Sequence, residues 1–161
     1  MRKQFAKDKI VILLGAGASC DAGIKNSFQM INEIQSSLND EWKDYKELYD
    51  YIHSSHYHLE RIKGYDSRDI FFNIENLVAL LDSIIKIATK DVEVYPFIGS
   101  WEKELHIVAG PKLDKAKDFK KVILEKMKNS WLSPEEFVSK STYYKKIKEI
   151  GYNYPISLIF L

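Results

Sequence analysis

One cysteine, four prolines and seven glycines are all that 161 residues hold of the residue types that staple, break or loosen a chain. Cys20 alone can form neither an internal disulfide nor a thiolate zinc site, and so few thiols fit a reducing, cytoplasmic compartment. The low glycine and proline content excludes collagen-like and low-complexity classes. Charge of one sign is also lacking: 24 basic side chains against 23 acidic ones leave a formal +1. Nothing global therefore draws the chain to nucleic acid or to a membrane surface. The longest apolar run, residues 10–18, is less than half of the roughly 20 residues a membrane-spanning helix needs.

What is present is ordinary globular material. Hydrophobic residues make up 45% and aromatics 13%, enough for one core in a single domain of this length. The charge is unevenly placed. Residues 1–110 carry 13 Lys/Arg against 17 Asp/Glu, whereas residues 111–161 carry 11 against 6. The lysines between Lys112 and Lys128 read as a solvated helix face rather than a site for an anionic partner. Arg2, Lys3 and Lys7, the apolar centre Ile10–Leu14 and Ala18-Ser19-Cys20 mimic a lipoprotein signal. Gly15, Gly17 and the charged pair Asp8-Lys9 count against export.

Ile10-Val11-Ile12-Leu13-Leu14 is a short, continuous, branched apolar run ended by glycine, the pattern of a parallel strand covered on both faces. Gly15-Ala16-Gly17-Ala18-Ser19-Cys20-Asp21-Ala22-Gly23 follows, and then Phe28, Ile31, Ile34 and Leu38 on one helical face, with Asn26 and Gln29 spaced as a capping box. Helical spacing continues through Trp42, Tyr45, Leu48, Tyr49 and Ile52, and Ile74–Ala88 is apolar enough to lie in the core. Pro96, Gly99, Gly110 and Pro111 mark residues 91–111 as a connector. Phe119, Val122, Ile123 and Met127 resume the helical spacing. Ser133-Pro134-Glu135-Glu136 starts a helix that passes Phe137, Tyr144 and Ile147 and stops at Gly151. After Pro155, Ile156–Leu161 reads as a second strand. The fold class is α/β: a partial Rossmann-like parallel sheet of two strands with a large helical insertion, mostly helical by residue count. It divides into strand, turn and helix over 1–40, the insertion over 41–150 and the second core strand over 155–161, all within one domain, 1–161.

The glycine-rich turn is the one segment with chemistry in it. Gly15 lets the chain leave the strand sharply, Gly17 lets backbone N–H groups approach a phosphate, and Gly23 permits close packing or positive φ. The amino end of the next helix would then face the anion. The spacing excludes two common motifs. Gly23 comes six residues after Gly17 instead of three, no strand precedes Asp40 and Glu41, and no Gly-Lys-Ser/Thr completes a P-loop.

Gly15-Ala16-Gly17-Ala18-Ser19, three residues, then Gly23-Ile24 after an apolar strand resembles the amino-terminal NAD-binding motif of the sirtuin-like superfamily, nearest its divergent branch in bacterial anti-phage defence. Asn73-Ile74-Glu75-Asn76-Leu77 through Leu80-Leu81 is also similar to a helix of that branch. The resemblance implies that Gly15, Ala16, Gly17, Ala18, Ser19, Gly23 and Ile24 hold NAD or an ADP-ribose-type ligand, and that intact relatives cleave NAD to nicotinamide and ADP-ribose. Deacylase sirtuins continue Gly-Ile-Pro-Asp-Phe-Arg; here Gly23-Ile24-Lys25-Asn26-Ser27-Phe28 lacks that aspartate and arginine. The family's asparagine and catalytic histidine follow a strand like Ile156–Leu161, so the resemblance places them past Leu161. The chain alone is then expected to be inactive, and to work as a homo-oligomer or with a downstream complementary protein.

The other candidates read as structural. His53, His56 and His58 do not share one helical face and read as solvated surface rather than a metal site, His106 stands alone, and Cys20 and the tyrosine pair Tyr143-Tyr144 read as packing groups. The alternative function is a non-enzymatic nucleotide-binding or protein-interaction module.

Overall fold

Five branched apolar residues in a row favour extended backbone, and Ile10–Leu14 forms strand β1; Ile156–Phe160 forms β2. The computed structural model describes residues 10–88, 101–132 and 142–160. The two strands pair in parallel with Ile10 opposite Ile156 and Leu14 opposite Phe160. Among the described residues everything else in regular structure is helical: α1 (Ser27–Ser37), α2 (Lys46–Ile62), α3 (Ile74–Ala88), α4 (Trp101–Ala109), α5 (Asp114–Lys126) and α6 (Thr142–Asn153), with 3-10 turns at Ala16–Ala22 and Lys43–Tyr45 and a π turn at Met127–Trp131. The chain divides into two compact units, Met1–Asn26 with Lys128–Leu161, and Ser27–Met127.

The sheet is not covered on both faces as the apolar run suggests. Leu14 is buried and Ile10 and Ile12 half-buried, but Val11 and Leu13 are 57% and 62% exposed. The covered face holds Ile10 and its register partner Ile156, whose Cδ1 lies 3.4 Å from where a Cβ of Gly151 in α6 would sit. One face of β1 is thus withdrawn from solvent and the other open to it, as in a half-covered sheet. The expected helix stop is also corrected. Gly151 lies inside α6, which continues two residues past it to Asn153, and Ile156 packs beside it. The start at Ser133–Glu136 lies outside the described residues.

The helical unit has its own core. Ile34 and Leu38, Leu48 and Ile52, Leu77, Leu81 and Ile84, Leu105 and Ala109, and Phe119 and Ile123 are all buried. Trp42 meets Phe119 edge-on and Tyr45 stacks on it at 4.8 Å between ring centroids. Burial and the nearby Glu104 carboxylate push the Tyr51 phenol up to about 12, so it remains a neutral core group. Phe28 departs from its expected core position: it is 56% exposed, its ring touching Phe71 at 6.3 Å. The connector expected over 91–111 contains α4, anchored by Leu105 and Ala109 one helical turn apart; its residues 91–100 lie outside the described set. Gly110 then takes φ +83 and Leu113, though not glycine, φ +53; burial of the leucine side chain offsets the backbone cost.

Candidate functional site

The glycine-rich segment lies wholly within the unit that holds the sheet. Gly15 leaves β1 at φ −84, ψ 174, and Ala16–Ala22 wind into a seven-residue 3-10 helix that ends on Gly23 at φ 88. The expected arrangement, an open turn running straight into an α-helix, is therefore replaced by a tighter coil. Ala16-Gly17-Ala18-Ser19-Cys20-Asp21-Ala22 is built of small residues that place little side-chain packing on a regular helix, and Ser and Asp compete for backbone hydrogen bonds. The helix α1 starts only at Ser27, in the other unit.

Several amides of the segment are used internally. Ala18 donates to the Gly15 carbonyl at 2.9 Å, Gly23 to Cys20 at 2.9 Å and Ile24 to Ser19 at 3.3 Å. The amides of Ala16 and Gly17 precede the first ring, and the i to i−3 pattern gives them no partner within the coil. Gly23 has a structural reason to be glycine, its left-handed φ. Gly15 and Gly17 have none: neither has positive φ, and a Cβ on either would meet nothing within 4 Å. Both are exposed, while Ala18, Ser19 and Ile24 are half-buried. One further side chain is brought in from far along the sequence. Tyr144 of α6, read from sequence as packing, places its hydroxyl 3.4 Å from Ser19 Oγ. No local sequence signal pairs these two; only the parallel pairing of β1 with β2 brings α6 to the segment.

The remaining candidates belong to the helical unit. His53 and His56 are not solvated surface as their spacing suggested: both are half-buried against Phe72, at 4.9 Å and 5.3 Å between ring centroids. Tyr49 stacks on His53 and receives a hydrogen bond from Gln35 at 2.9 Å. Burial, with His56 close by, holds His53 below its ordinary pKa, against a smaller opposing effect of Asp50. Among the described residues no three His, Cys, Asp or Glu side chains gather as a metal site would require. The basic stretch is largely solvated and partly neutralised: Lys120 pairs with Asp82, and Lys126 lies 3.5 Å from Glu33 and 3.8 Å from Glu41. A cavity of about 560 Å³ is lined by Lys43, Asp44, Lys46, Glu47 and Lys115. Its lining side chains are all charged and of both signs, unlike those of a small-molecule pocket. No helix among the described residues is long and apolar enough to cross a membrane.

Comparison with family models, curated proteins and solved structures gives no match.

Proposed function

We propose that the chain binds the diphosphate of NAD or an ADP-ribose-type ligand along Gly15–Ser19, as the NAD-binding portion of a sirtuin-like protein of the kind used in bacterial defence. The observation that carries this reading is the pair of unexplained glycines. Glycine is the residue of choice where φ is positive, where a neighbour crowds the position or where a ligand approaches the backbone closely. Gly15 and Gly17 meet neither of the first two conditions, so the space that their missing side chains leave open is the feature left to explain, and close approach of a ligand to backbone N–H groups accounts for it. The resemblance to the sirtuin-like motif supplies the identity of the ligand. Binding is the whole of this chain's role in the reading, and no residue is assigned to cleavage.

Titration calorimetry with NAD and ADP-ribose, on the wild type, Gly17→Ala and Gly17→Glu, tests the reading. Because nothing crowds the position, Gly17→Ala should fold normally and gain about 0.4–1 kcal/mol from a less flexible unfolded chain, yet bind more weakly. Gly17→Glu should abolish binding, and nicotinamide release from NAD should stay at background throughout. Equal binding by wild type and Gly17→Glu, or none by the wild type, would sink the proposal.

A second reading, a protein-interaction module, is favoured by Val11 and Leu13, two large apolar side chains exposed on one face of the sheet. In that case the glycine variants change nothing, and polar substitution of Val11 and Leu13 is what disrupts association.

A further inference from the structure

We propose that Tyr144 is a positioning residue for the ligand, acting through Ser19; the inference rests on the reading of the glycine segment just given. The two hydroxyls are 3.4 Å apart and half-buried, although 125 positions separate them in sequence. A phenol is far more acidic than an aliphatic alcohol and is the better donor, so the favoured arrangement has Tyr144 donating to Ser19 Oγ. Ser19 then keeps its own proton for an acceptor outside the pair. It lies on the same coil as Gly17, one 3-10 turn past Ala16, whose amide has no partner within the coil, and the acceptor that fits is an oxygen of the ligand's diphosphate. In that chain each hydrogen bond polarises the next: the phenol's donation makes the serine a stronger donor, and a charged phosphate oxygen strengthens both. The present separation is long for a hydrogen bond between hydroxyls, and ligand binding is what shortens it.

Tyr144 is well placed to hold this position. It belongs to α6, which packs directly against the glycine segment Ala16–Ala22. Tyr144→Phe removes the hydroxyl and keeps the ring, so the packing of α6 survives.

The test is a double-mutant cycle in the full chain, with ADP-ribose affinity measured by calorimetry for wild type, Tyr144→Phe, Ser19→Ala and the double variant, and melting temperature recorded for each. Each single change should weaken binding by roughly three- to tenfold, and the double variant should bind no more weakly than Ser19→Ala. A merely structural Tyr144 would give effects that multiply, or a fall in melting temperature that accounts for the loss; either overturns the inference. So does unchanged binding by Tyr144→Phe. These outcomes differ from failure of the underlying reading, in which the wild type itself does not bind ADP-ribose.

Discussion

His53 shows how one side chain can set the acid limit of the helical unit. Its ring is stacked on Tyr49 with an interplanar angle of 8° and meets Phe72 edge-on at 88°, contacts that withdraw it from water. Burial lowers its pKa from the ordinary 6.5, and the nearby His56 adds to the effect. In the unfolded chain the imidazole charges as pH falls through 6.5, whereas in the folded chain it resists, so the unfolded state binds more protons in that range. The stabilisation is complete above 6.5 and is lost progressively as pH falls toward the lower, folded value. Thermal melts between pH 5 and 8 should therefore show a fall in wild-type stability that is shallower in His53→Phe. Parallel profiles would mean that His53 does not contribute. The aromatic cluster was legible in the spacing of Tyr49, His53 and His56, at i, i+4 and i+7 on one helical face. The partner that completes the cluster, Phe72, comes from beyond the helix and is not visible in that spacing.

At the scale of elements, α3 carries the clearest local code. Ile74, Leu77, Leu81 and Ile84 form its buried stripe, and Asn73 and Asn76 cap its start reciprocally: the Asn76 amide donates to Asn73 Oδ1 at 2.9 Å and the Asn73 amide to Asn76 Oδ1 at 3.1 Å. This is the logic of a capping box with asparagine at the third position in place of glutamate. Asn73→Ala should cost about 1 kcal/mol, read as a lower denaturant midpoint with an unchanged slope; a shift near zero would show that solvent satisfies these amides equally well. Elements whose reason is local, such as β1 and α3, can be read from sequence to within a residue or so. Those whose reason is tertiary cannot. Leu105 and Ala109 are buried in α4 while the neighbouring Ile107 is exposed, so its apolar residues do not mark one face, and glycine and proline flank it. Gly151 looks like a helix end until the strand that packs on it is known. The candidate site divides the same way: the glycines are visible in the sequence and their 3-10 coil has local causes, but the arrival of Tyr144 depends on strand pairing across nearly the whole chain.

The division into units has a consequence for how the whole chain folds. Ser27–Met127 is one uninterrupted segment with its own buried stripes, whereas the sheet unit is assembled from two segments that flank it. Closing a flexible loop costs entropy that grows with its length, so pairing Ile10 with Ile156 is costly while the intervening residues are unfolded. A folded insertion replaces that long loop with a shorter effective one, which orders the events: helical unit first, sheet and glycine segment second. The boundary falls at Met127, where α5 gives way to the wider π turn, so the regular helix closes within the helical unit. A fragment comprising residues 27–127 should therefore give a helical circular-dichroism spectrum and a cooperative thermal transition without the rest of the chain. Leu81→Ala, which opens a cavity at a fully buried position, should lower that transition in fragment and full chain alike, by an amount equivalent to about 2–5 kcal/mol. A fragment that stays unfolded would show instead that the helical core depends on the sheet, and the order of assembly would have to be reversed.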